Sequence, residues 1–136
     1  MSRVGAHVEV HGGQGPFEFY FPINSNYFVV YDSNAGGIGR VQSAELRKTV
    51  VETYARLKSL ADTFGYNNRL LAEREQLDQQ LAAAPDNVRL QALFSAKNSE
   101  LSEYGMVIWE LHREAMSAAT YLRSQITTRL QGIWTP

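Results

Sequence analysis

No cysteine occurs in this chain, which excludes a disulfide framework, a zinc–thiolate site and a cysteine nucleophile. A reducing cytoplasm fits that composition, and a cytoplasmic location is expected. Charge of one sign is also missing: 13 Lys and Arg face 14 Asp and Glu, for a formal net charge of −1 with no long run of either sign. A nucleic-acid binder would carry a basic patch or stripe, so nucleic acid is not expected as a partner. No stretch approaches the roughly 18–20 apolar residues of a membrane span. The segment Met1–His7 has no apolar core of a signal peptide. A chain without a span follows. Proline is scarce, at four residues, and only Pro85 interrupts the pattern described next.

From about Ser43 onward, apolar residues recur at helical spacing for most of the chain. Val50, Leu57, Phe64 and Leu71 repeat every seven residues, with Tyr54, Ala61 and Asn68 at the alternate seam positions. The stripe then drifts to Leu77 and Leu81, as a period of 3.6 requires. After Ala84-Pro85-Asp86-Asn87, a second stripe runs through Leu90, Phe94, Lys97, Leu101, Tyr104, Ile108, Leu111, Ala115, Ala118, Leu122, Ile126 and Leu130. Ser43 is placed to cap the first helix and Asp86 the second. The short connection predicts an antiparallel hairpin of helices at about 44–82 and 87–131. Gly65 falls mid-helix, where it costs about 1 kcal/mol relative to alanine unless something packs there.

Residues 1–24 read as an extended arm, partly disordered. His7-Val8-Glu9-Val10-His11 alternates at strand period, and Phe17, Phe19 and Phe21 alternate with Glu18 and Tyr20. A two-stranded ribbon alone is marginal in water, so these aromatics need helices beneath them. Tyr27-Phe28-Val29-Val30-Tyr31 has strand-like composition. Its flanks favour a short helix over about 25–35: Asn24 and Ser25 supply caps, and Gly36-Gly37 supplies a left-handed stop. Tyr27, Val30, Tyr31 and Asn34 would then share a face. Residues 25–136 are expected to be helical and the whole chain one domain.

Candidate chemistry is sparse. His7, Glu9 and His11 have the composition of a metal site, but they sit in a terminus next to glycines, so no metal is expected. Gly36-Gly37-Ile38-Gly39-Arg40 is not followed by the Lys-Ser/Thr of a nucleotide loop and stands in no βαβ pattern. His112, flanked by Glu110, Arg113 and Glu114, has no evident partner or cleft. Glu73, Arg74, Glu75 and Asp78 read as a solvated face. No catalytic residue and no cofactor are expected. Asn68 and Lys97 are polar residues in otherwise apolar seams. Asn68 is placed to set register, Asn67-Asn68 and Asn34 to bond to each other or to backbone, and Lys97 to reach solvent along its stem.

Two surfaces remain as candidates. Around Tyr104, Ile108, Trp109 and Leu111 the helix is apolar over more than half its circumference, which predicts contact with a second copy and a dimeric helical bundle. Tyr27, Tyr31 and Tyr54 are candidates for an aromatic pocket.

The run Tyr27-Phe28-Val29-Val30-Tyr31-Asp32-Ser33-Asn34-Ala35-Gly36-Gly37-Ile38-Gly39, with Glu45-Leu46-Arg47 and Val50-Val51-Glu52-Thr53-Tyr54, resembles a pattern in uncharacterised bacterial proteins. Those proteins carry one N-terminal membrane span followed by a cytoplasmic helical region. The similarity covers about residues 22–71. It implies bacterial origin, the short-helix reading, and either a membrane segment ahead of Met1 or a relative without one. It carries no activity. The sequence thus predicts a mainly α chain serving as a non-enzymatic oligomerisation or protein-interaction module, with a small-molecule bundle and a membrane-anchored domain as alternatives.

Overall fold

A computed structural model describes residues 15–134, leaving out the side chains of Ser25, Tyr27, Val30 and 132–134. The His7/Glu9/His11 group and the alternating 7–11 segment lie outside the described residues. Among the described residues the regular elements are all helical: a 3-10 turn Ser25–Phe28, then α1 (Val29–Ile38), α2 (Ala44–Ala83) and α3 (Val88–Trp134). The long helices α2 and α3 pack against each other as a helical hairpin.

The helix ends follow side-chain chemistry. Asn24 Oδ1 accepts the Asn26 N–H at 2.9 Å and opens the 3-10 turn. Residues 26–31 are therefore helical. The short helix continues through Gly36 and Gly37 to Ile38, so these glycines do not stop it by turning left-handed. Its C-cap, Gly39, has φ −59°, and the only positive φ among the described residues is at Gly15. Ser43 Oγ accepts the Leu46 N–H at 3.2 Å, and Glu45 occupies the first turn of α2. At the hairpin turn Asn87, not Asp86, caps α3: its Oδ1 accepts the Leu90 N–H at 3.2 Å. Gln91 Nε2 adds a bond to the Pro85 carbonyl at 2.7 Å.

The chain divides into two compact units, residues 1–23 with 61–110 and residues 24–60 with 111–136. In the first, Phe17, Phe64, Leu70, Leu71, Leu101 and Ile108 form the interior, with Tyr66 and Tyr104 packed beside it. Burial on α2 is wider than one seam, because Thr63, Asn67 and Leu70 are buried beside Phe64 and Leu71. The reason is the arm, which covers a second face of the helix.

In the second unit Thr53, Leu60 and Ala115 are buried. The half-buried face of the turn and α1 is Phe28, Tyr31 and Ile38, and Asn34 is exposed. Tyr54 ties α1 to α2 with its hydroxyl donating to Asp32 Oδ1 at 2.8 Å. Across the helix pair, Thr53 Oγ1 donates to the Ala118 carbonyl at 3.4 Å, Arg56 meets Glu114 at 2.9 Å, and Arg129 donates to Ser43 Oγ at 2.8 Å. Ser43 marks the end of α2, so the α3 stripe runs out of partner there. Leu130, past that point, is exposed, and so is Ile126 one turn before it.

Candidate functional site

The most elaborated site in the chain lies in the first unit, where α2 and α3 hold residues 15–23. Two consecutive asparagines on α2 read the arm's main chain. Asn68 accepts the Phe21 N–H at 2.9 Å and donates to the Phe21 carbonyl at 2.7 Å. One carboxamide thus satisfies both polar groups of one residue, as a neighbouring strand would. Asn67, fully buried, donates to the Phe17 carbonyl at 2.9 Å. Its Oδ1 finds no partner among the described residues.

Aromatic packing fixes the arm between these points. The Phe21 ring stacks on Phe64 at 4.2 Å, and Phe17, 1% exposed, tilts against Phe64 at 5.5 Å. Phe19 does not join them underneath. It stays exposed and sets its edge against Phe17 at 5.6 Å. Two helical glycines make room for the chain. A Cβ at Gly105 would stand 2.0 Å from the Gly15 carbonyl oxygen, and one at Gly65 would meet Ile23 Cδ1 at 3.2 Å. Glu18 pairs with Arg74 at 2.7 Å. Burial, then a hydrogen bond to Glu75, raises the Tyr20 phenol above its ordinary value. The arrangement recognises an extended main chain.

Beside it, Lys97 does not simply reach into solvent. Its side chain is 19% exposed, and Nζ meets Glu73 and Glu100 at 2.7 Å each. Hydrogen bonding to Glu100 first and Glu73 second raises the lysine pKa, and the Lys97 hydrogen bond lowers that of Glu100. Tyr66 donates to Glu100 at 3.0 Å, which raises its own pKa. Opposite charges on facing helices make this a register lock between α2 and α3.

The sequence-predicted residues fall as follows. Ile108, 1% exposed, belongs to the interior and offers no contact surface. Tyr104 is half-buried against Tyr66 at 4.7 Å between centroids, and Trp109 is half-buried. Leu111 is half-buried within the second unit. The exposed apolar residues on this part of α3 are instead Met106 and Val107. Of the candidate pocket residues, Tyr31 and Tyr54 stack with centroids 3.5 Å apart and Phe28 stands edge-on to Tyr54 at 5.2 Å, while Tyr31 also lines an open groove of about 610 Å³ with Ala35, Ile38 and Val51. The side chain of Tyr27 lies outside the described residues. His112 is half-buried, and burial lowers its pKa. No group of three or more His, Cys, Asp or Glu among the described residues is placed to hold a metal, and no helix there is long and apolar enough to cross a membrane.

Sequence reasoning passed over Gly105 and the buried face of Leu60, Thr63 and Leu70, while Asn67 bonds to backbone as that reasoning allowed. The signals were present: a glycine inside a strongly helical run, and Thr53, Leu60 and Asn67 at seven-residue intervals. No protein-family model matches the chain, and no curated protein or solved structure matches it.

Proposed function

We propose that the chain is a non-enzymatic helical oligomerisation module whose second unit pairs with a second copy. The observation that carries this reading is the shortage of interior in that unit. Among the described residues Thr53, Leu60 and Ala115 are its buried ones, whereas Val29, Val51, Met116, Tyr121, Ile126 and Leu130 are exposed. Helix pairs with one thin seam gain little from burial, and pairing would cover the apolar side chains that α3 leaves exposed.

The relief of α3 favours another helix as the occupant. Met116 and Tyr121 flank Ser117, Thr120 and Ser124 in an open trough of about 520 Å³. Large side chains beside a row of small ones form the groove into which a helix ridge packs. The same face on a second copy supplies such a ridge by two-fold symmetry. On this reading the contact lies further along α3 than Tyr104, Ile108, Trp109 and Leu111.

Absolute mass by light scattering, over a hundredfold range of concentration, tests the reading. A species of twice 15.3 kDa is expected. Met116→Glu should weaken association at least tenfold, since it forces an unpaired charge into the contact. A monomer at every concentration, or a Met116→Glu dimer of unchanged affinity, would refute it.

A further inference from the structure

The arm and its groove have a property beyond packing. Every hydrogen bond from Asn67 and Asn68 to the arm goes to its main chain, at Phe17 and Phe21. The ring contacts, the Glu18–Arg74 pair and the Ile23–Gly65 contact are likewise complete within residues 15–23 on one side and α2 with α3 on the other. None of them depends on which copy supplies the arm. The fit is also imperfect in one respect: the fully buried Asn67 Oδ1 is left without a donor among the described residues. A desolvated, unbonded acceptor weakens the hold on the occupant and eases its release.

The connection favours exchange. Pro22, Ile23 and Asn24 are exposed, Asn24 is extended with φ −104° and ψ 121°, and the boundary between the two units falls between Ile23 and Asn24. From these observations we propose that, in the oligomer, residues 15–23 are exchanged between two copies, so that each groove is filled by the other copy's arm. The inference rests on the pairing proposed above. Arm contacts are equal in the closed and exchanged forms, so exchange forfeits none of them, and association through the second unit removes the cost of bringing two copies together. Once two copies are held together, each arm meets the other groove at the high effective concentration of a tethered segment.

The absence of native cysteine gives a clean test. Glu18→Cys and Arg74→Cys are introduced together, and the folded full-length protein is joined by a short bismaleimide at dilute concentration. Its mass is then read on a denaturing gel beside light scattering of the unlinked protein. Exchange predicts a dimer in solution and a covalent dimer on the gel. A dimer in solution with only internally linked monomer on the gel overturns exchange and leaves the pairing intact. A monomer in both overturns the pairing and, with it, exchange. The pair Tyr20→Cys with Glu75→Cys, on the neighbouring contact, repeats the readout if the first variant fails to fold.

Discussion

Replacing Gly105 with alanine sets two effects of known size against each other. Alanine is favoured over glycine in a helix interior by about 1 kcal/mol. Against this, the new Cβ would lie 2.0 Å from the Gly15 oxygen, 3.1 Å from the Gly15 carbonyl carbon and 3.4 Å from the Phe17 nitrogen. All three are backbone atoms of the arm, so no side-chain rotation relieves the contact. The arm must leave, at least around Phe17. Returning Phe17 to water costs about 1.5–3 kcal/mol, and each lost bond to Asn67 or Asn68 about 0.5–1.5 kcal/mol. Regained chain entropy offsets part of this. The expected balance is destabilisation by about 1–3 kcal/mol, read as a lower urea midpoint. The Phe21 amide, bonded to Asn68, should lose its hydrogen-exchange protection in the same variant.

Three other glycines make the controls. Gly36 and Gly37 are helical, and a Cβ at either meets nothing within 4 Å. Alanine there should stabilise by about 0.5–1 kcal/mol. At Gly65 the neighbour is the flexible tip of Ile23, so the variant should fall between these cases. A Gly105→Ala protein as stable as the parent, with Phe21 still protected, would refute the close approach of the arm.

Asn68→Ala removes both bonds to Phe21 and should cost about 1–3 kcal/mol in the same denaturation assay; an unchanged midpoint would show that the clamp contributes nothing. For His112 the sign follows from burial, which lowers the folded-state pKa below the ordinary 6.5. The unfolded chain then protonates first, so stability is full above that value, falls as pH drops toward the lower folded-state pKa, and levels beneath it. His112→Gln should flatten that limb of a stability–pH profile.

How much of this was legible before the structure depends on which force sets each feature. The hairpin follows from apolar period and a proline-marked turn, and both are local. The stripe through Leu101, Ile108 and Ala115 is buried, and Ser43 caps as its hydroxyl allows. The shift of the cap from Asp86 to Asn87 is a one-residue matter of turn geometry that two equally good capping residues cannot decide. The arm is different. Its alternating phenylalanines suggested an extended segment on an apolar surface, yet its docking place is written in Gly65, Asn67, Asn68 and Gly105, which lie about forty to ninety residues away from their contacts in it. Asn68 stood out because it breaks a stripe. Asn67 beside it was legible as a backbone partner but not as a buried one, because a single seam puts it outside the stripe.

Pairing through the second unit implies that its helices are stabilised by mass action, whereas the first unit carries its own interior. Amides in residues 44–60 and 111–130 should therefore exchange more slowly as protein concentration rises. Amides in 61–83 and 88–110 should respond much less. When exchange passes through the dissociated chain, the monomer fraction falls as the square root of total concentration, so each tenfold increase should slow the first set by about threefold. Exchange through local fraying would leave both sets unmoved. Equal rates across a hundredfold range, for amides shown to exchange only through global unfolding, would mean that the exposed Met116, Tyr121 and Ile126 face water in the working protein. The thin seam of Thr53, Leu60 and Ala115 would then have to hold α2 and α3 together in that unit without a second copy.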